Sequence, residues 1–105
     1  MSAIPNQKEP KMINVLIRHK VADYDSWKKA FDDFAPFRKT SGELSYHVMQ
    51  YDNDANNLYL LFKWDTIENA RSFLGSAQLK EAMQSAGVTE PPETQFLRDA
   101  AHGSL

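Results

Sequence analysis

The chain has 105 residues, a net charge of −2 with acidic and basic residues interspersed, and no cysteine. That length holds one domain with a core adequate but not generous. Without cysteine there are no disulfides, thiolate metal sites, iron–sulfur clusters or cysteine nucleophile, and the scattered charge offers no basic face for a phosphate backbone, so nucleic acid is not an expected partner.

Residues 1–11 carry Pro5 and Pro10 among mostly polar neighbours, and 99–105 are small and polar. Both ends are expected to be flexible around a domain spanning 12–98. No apolar run is long enough to span a bilayer and no charged leader precedes one, so no membrane partner and a cytoplasmic location are expected.

Four strand-like runs and two helices follow in the order strand, helix, strand, strand, helix, strand, which predicts an α+β sandwich. In the first run, Met12 to Val21, Ile13, Val15, Ile17, His19 and Val21 share one face, with Met12, Asn14, Leu16, Arg18 and Lys20 on the other. Asp23 is placed to cap the first helix, and Asp25 sets a carboxylate where the helix dipole favours it. Tyr24, Trp27, Phe31, Phe34 and Ala35 form its aromatic stripe, beside Lys28, Lys29, Asp32 and Asp33, which read as a solvated face. Pro36 kinks or restarts the helix, and Gly42 ends it.

The second strand, Glu43 to Tyr51, sets Leu44, Tyr46 and Val48 against Ser45, His47, Met49 and Tyr51. Asp52 to Asn57 is turn chemistry, because Asn and Asp bond locally to the backbone, and it predicts a hairpin. The third strand, Leu58 to Trp64, places Leu58, Leu60, Phe62 and Trp64 opposite Tyr59, Leu61 and Lys63. Asp65 and Glu68 have capping-box spacing for the second helix, whose buried stripe is Ile67, Ala70, Phe73 and Leu74. A break at Gly75-Ser76 begins further turns with Leu79, Ala82, Met83 and Ala86, ended by Gly87. The last strand, about Thr94 to Arg98, follows two prolines and belongs at a sheet edge. Helices on one side of the sheet leave the second face uncovered, and its Met12, Leu16, Met49, Tyr59 and Leu61 predict a homodimer.

Strands one and three have uniformly apolar faces suited to lie under the helices, with His19 and Trp64 at the strand ends facing Trp27, Phe31 and Phe34. A small apolar cleft with one titratable group is expected there. An isolated His is more often a hydrogen-bonded core residue than a functional one, and the aromatics need no ligand to explain their spacing. Tyr46 or His47 would supply a second polar group if their strand borders the cleft. No phosphate loop, nucleophile elbow, dinucleotide fingerprint or metal-ligand spacing occurs.

The segments Arg18-His19-Lys20-Val21-Ala22-Asp23-Tyr24-Asp25-Ser26-Trp27-Lys28 and Phe62-Lys63-Trp64-Asp65-Thr66-Ile67-Glu68-Asn69-Ala70-Arg71-Ser72-Phe73, with Leu79-Lys80-Glu81-Ala82-Met83 and Ala86-Gly87-Val88, resemble the dimeric α/β-barrel superfamily. The likeness covers about Met12 to Arg98 and is strongest to its cyclase-like and antibiotic-biosynthesis-monooxygenase-like members. It implies a ferredoxin-like βαββαβ protomer whose sheet packs on a second copy's. It also implies a small apolar, aromatic or polyketide-like ligand between sheet and helices, which some members oxidise or cyclise without metal or flavin, and no cofactor is expected. On this reading His19 and His47 are the candidate catalytic residues, and Trp27, Phe31, Tyr46, Trp64 and Phe73 bind the substrate. Trp64 matches a tryptophan common in monooxygenase-like members, but the helix histidine usual nine positions on is Phe73 here. A non-catalytic ligand sensor or interaction module is the competing expectation.

Overall fold

The computed structural model describes residues 12–105. The expected flexible segment 1–11 lies outside the described residues. The chain runs β1 (Ile13–Lys20), α1 (Tyr24–Asp33), α2 (Ala35–Ser41), β2 (Glu43–Tyr51), β3 (Asp54–Trp64), α3 (Ile67–Leu74), α4 (Ala77–Ser85) and β4 (Glu93–Leu97). Each of the two expected helices is thus a pair. Pro36 falls in the first turn of α2, where its missing N–H costs nothing, so it restarts the helix after Phe34. Gly75 closes α3, and the Ser76 hydroxyl opens α4 by accepting from the Leu79 amide.

The four strands form one antiparallel sheet in the order β2-β3-β1-β4, which is the ferredoxin-like arrangement. β4 lies at an edge, as its preceding prolines predict. The alternation in β1 and β3 is realised: Ile13, Val15, Ile17, Leu58, Leu60, Phe62 and Trp64 are buried with Trp27, Phe31, Ala70 and Phe73 in one core under the helices. Asn14, Leu16, Arg18, Tyr59, Leu61 and Lys63 stand on the other face, half-exposed.

Three local expectations are corrected. β3 begins at Asp54, so the turn shrinks to Asp52-Asn53, and an irregular register between Gln50 and Tyr51 absorbs the extra residues. There Asn56 becomes a fastener: its Oδ1 accepts from the Tyr24 amide and its backbone carbonyl from the Val21 amide, fixing where α1 begins. Asp65 does not cap α3. Thr66 does, accepting from the Asn69 amide, while the Asp65 carboxylate accepts from Thr66 N and Asn69 Nδ2. Finally, part of the tail is tied down, because Asp99 accepts from Asn14 Nδ2 at 2.6 Å and from Lys63 Nζ at 3.4 Å. No helix among the described residues is long and apolar enough to cross a membrane.

Candidate ligand cavity

Between the sheet and the helices lies a cavity of about 220 Å³. Its floor is Val15, Ile17, Leu60 and Phe62, its walls are Trp27, Phe31, Trp64 and Phe73, and α4 closes it with Leu79, Ala82, Met83 and Ala86. None of the α4 residues is fully buried. The helix therefore covers the cavity without being locked into the core.

His19 lies on the cavity wall, 4% exposed, and neither ring nitrogen has a hydrogen-bond partner. Its ring meets Trp27 edge-on at 5.8 Å between centroids. Burial, aided by the neighbouring positive charge of Arg18, pushes the imidazole down to about 4. At neutral pH the ring is uncharged, offering one donor and one acceptor. Leaving each such group unpaired in the interior costs roughly 1–3 kcal/mol, so this is not the satisfied core histidine that an isolated His most often is.

Two charged groups also line the cavity, and sequence reasoning missed both. Arg38, 4% exposed, donates from Nε to the two Glu43 carboxylate oxygens at 2.9 and 3.1 Å. Its Nη1 donates to the Phe31 carbonyl, and the guanidinium lies over the Phe31 ring, 3.7 Å from the centroid. Burial raises the Glu43 carboxyl and the adjacent guanidinium opposes that rise. Only the order Phe31, Arg38, Glu43 could have pointed to the pair: the turn at Gly42 brings the start of β2 back beside α2, where the first charge meets the second.

The register separates these groups. His19 pairs with Leu58, whereas Glu43 pairs with Trp64, six residues further along β3 or about 20 Å of strand. His19 and Trp64 were expected to converge on the same aromatic stripe; they stand at opposite ends of it. Trp27, Phe31, Trp64 and Phe73 line the cavity as expected, Trp64 and Phe73 in contact at 5.0 Å between centroids. Tyr46, also expected to bind the substrate, is on the helix side, 48% exposed and edge-on to Phe31 at 5.1 Å, but does not line the cavity. His47 pairs with Leu61 on the far side of the sheet, exposed and away from the cavity. Its alternation with Tyr46 makes this unavoidable, so the two histidines share no site.

No family model and no curated protein matches the sequence. Solved structures do. A Bordetella bronchiseptica protein provisionally named an antibiotic biosynthesis monooxygenase superposes with a TM-score of 0.75 at 16% identity, over 87% of this chain and 99% of that one. SnoaB, described as a cofactor-independent oxygenase from Streptomyces nogalater, gives 0.69 at 15% identity over 90% and 97%. A Caulobacter crescentus protein with the same provisional name as the first gives 0.69 at 20% identity over 93% and 98%. The chain has the ferredoxin-like fold of the antibiotic-biosynthesis-monooxygenase-like structures.

Proposed function

We propose that the protein is a homodimer that binds a small aromatic molecule in the cavity, with His19 as the group that orients it. The observation that carries this reading is the buried imidazole, both nitrogens unpartnered, on the wall of a largely apolar cavity. Magnitudes favour orientation over proton abstraction. An ordinary phenol has a pKa near 10, so passing its proton to an imidazole near 4 costs roughly 8 kcal/mol, whereas a neutral hydrogen bond carries no such penalty. Dimerisation is supported by the open sheet face, where Leu16, Tyr59 and Leu61 are half-exposed and Met49, Tyr51 and Leu97 are exposed at 37%, 48% and 42%.

Native mass spectrometry of freshly purified protein tests the reading directly. A dimer carrying one small molecule per protomer, released on denaturation and absent from the His19→Phe protein, is the expected result. Unliganded monomer in every preparation would overturn it.

One observation favours a second reading, a cofactor-independent monooxygenase or cyclase: the fold is shared with SnoaB, described as an oxygenase of that kind. There His19 acts as acid or base on a substrate more acidic than a simple phenol. Oxygen uptake with a hydroquinone substrate, abolished in His19→Phe, separates it from binding alone.

A further inference from the structure

The end of the cavity held by Arg38 and Glu43 carries chemistry that the His19 end does not. We propose that these two side chains form a proton-coupled anion site: a weakly acidic ligand passes its proton to Glu43 and is held as its anion by Arg38. This rests on the proposed cavity reading and adds a second polar anchor to it.

Glu43 reaches the cavity wall only because β2 is irregular there. Strict alternation would put it with Ser45 and His47 on the open face of the sheet. Instead Glu43 pairs with Trp64 and Ser45 with Lys63, so Leu44 is an extra residue without a partner on β3. Such a bulge re-aims the neighbouring side chain, here towards the helices, and leaves Leu44 itself 54% exposed.

The resulting pair is compensated but not saturated. Both Glu43 oxygens share one donor, Arg38 Nε, at 2.9 and 3.1 Å, so the parallel two-donor fork of a guanidinium on a carboxylate is not made. Nη1 donates to the Phe31 carbonyl, and Nη2 is committed to neither partner. Unlike the His19 nitrogens, these side chains keep some accessible surface, 5% for Arg38 and 7% for Glu43, and both line the cavity.

An anion brought alone to Arg38 would meet the charge of Glu43. An acid that arrives neutral avoids this: its O–H bond breaks, the electron pair stays on its oxygen, and the proton bonds to a Glu43 oxygen, so this end of the cavity is neutral before and after. Burial raises the Glu43 carboxyl and favours its protonated form, and the ligand anion replaces it as the partner of Arg38. Asp65, beside Gly42, is engaged by the Thr66 amide and Asn69, and His19 stands at the far end of the aromatic stripe.

The test is isothermal titration calorimetry of the full chain with benzoate and benzamide at pH 7, in HEPES and in Tris, whose different ionisation heats count the protons taken up. Benzoate should bind with uptake of about one proton and about tenfold more weakly for each further unit of pH, and benzamide with no uptake. Glu43→Gln should bind benzoate without proton uptake and about tenfold more tightly than the wild type, and Arg38→Gln should lose benzoate and keep benzamide. If Glu43→Gln fails to fold, the wild-type proton count decides. Benzoate bound without proton uptake overturns the inference, as does an uptake that persists in folded Glu43→Gln, or that disappears in His19→Phe while benzoate still binds. Benzamide bound without benzoate also overturns it and leaves the cavity reading standing, whereas binding of neither probe overturns that reading and this inference with it.

Discussion

His19 is the residue whose surroundings are most costly, and that cost has a pH signature. Burial holds its folded-state pKa near 4 against 6.5 in an unfolded chain, so between those values the unfolded state takes up a proton that the folded state refuses. Stability is therefore full above about pH 6.5, falls as pH drops, and levels off below about 4, with a total loss of about 3 kcal/mol. Replacing the ring by phenylalanine removes both unpaired nitrogens, and the adjacent cavity gives the larger ring room. Urea denaturation at pH 7 and pH 4.5 should show His19→Phe at least as stable as the wild type at pH 7 and losing less on acidification. Equal acid sensitivity in the two proteins would place the titrating group elsewhere. That His19 faces the core was legible from the period-two pattern of β1, but its lack of partners was not, because that depends on which side chains the tertiary fold brings against the ring. Arg38 was illegible for a similar reason. In the sequence it is one cation beside Lys39 at a helix end, and only the return of β2 brings Glu43 against it.

At the scale of elements, helix starts were readable to within a residue, but the capping group was not always the obvious one. The Asp23 cap on α1 is realised, its carboxylate accepting from the Ser26 amide at 3.0 Å, whereas Asp65-Thr66 offered two adjacent candidates and the structure uses the second. Thr66→Ala should thus cost about 1 kcal/mol in thermal unfolding, and Glu68→Ala only a few tenths, since Glu68 contributes through the helix dipole alone. The reverse order would restore the capping box predicted from sequence. Gly42, with φ of 123°, is fixed more strictly: a Cβ there would come within 2.5 Å of Asp65 Oδ1. Among the helices α4 stands apart, because it lines the cavity and none of its residues is fully buried, although Leu79 packs against the core. Its amides should exchange with solvent faster than those of α1, which buries Trp27 and Phe31, and should slow when a ligand fills the cavity.

For the molecule as a whole, the chain order of elements and the two-faced sheet were legible because both depend on residue type at fixed spacing, whereas the order of strands within the sheet came only from the family resemblance. The size of the cavity and the Arg38–Glu43 pair on its wall were not legible, since they depend on how the helices and the start of β2 close over the sheet. The proposed dimer is tested by Leu61→Lys, which places an ammonium beside Lys63 and opposite its own copy across a two-fold axis. Sedimentation should show the wild type as a dimer at micromolar concentration and the variant as monomer or unfolded chain, and a dimeric variant would move the interface off this face. The alternation that puts Leu16 on one side of β1 and His19 on the other also fixes the stoichiometry of such an assembly. In the proposed back-to-back dimer each cavity would lie under its own helices, on the side of the sheet away from the interface. Two equivalent, independent sites follow, with a hyperbolic isotherm and a Hill coefficient of about 1, so occupancy tracks ligand concentration in proportion and not as a switch.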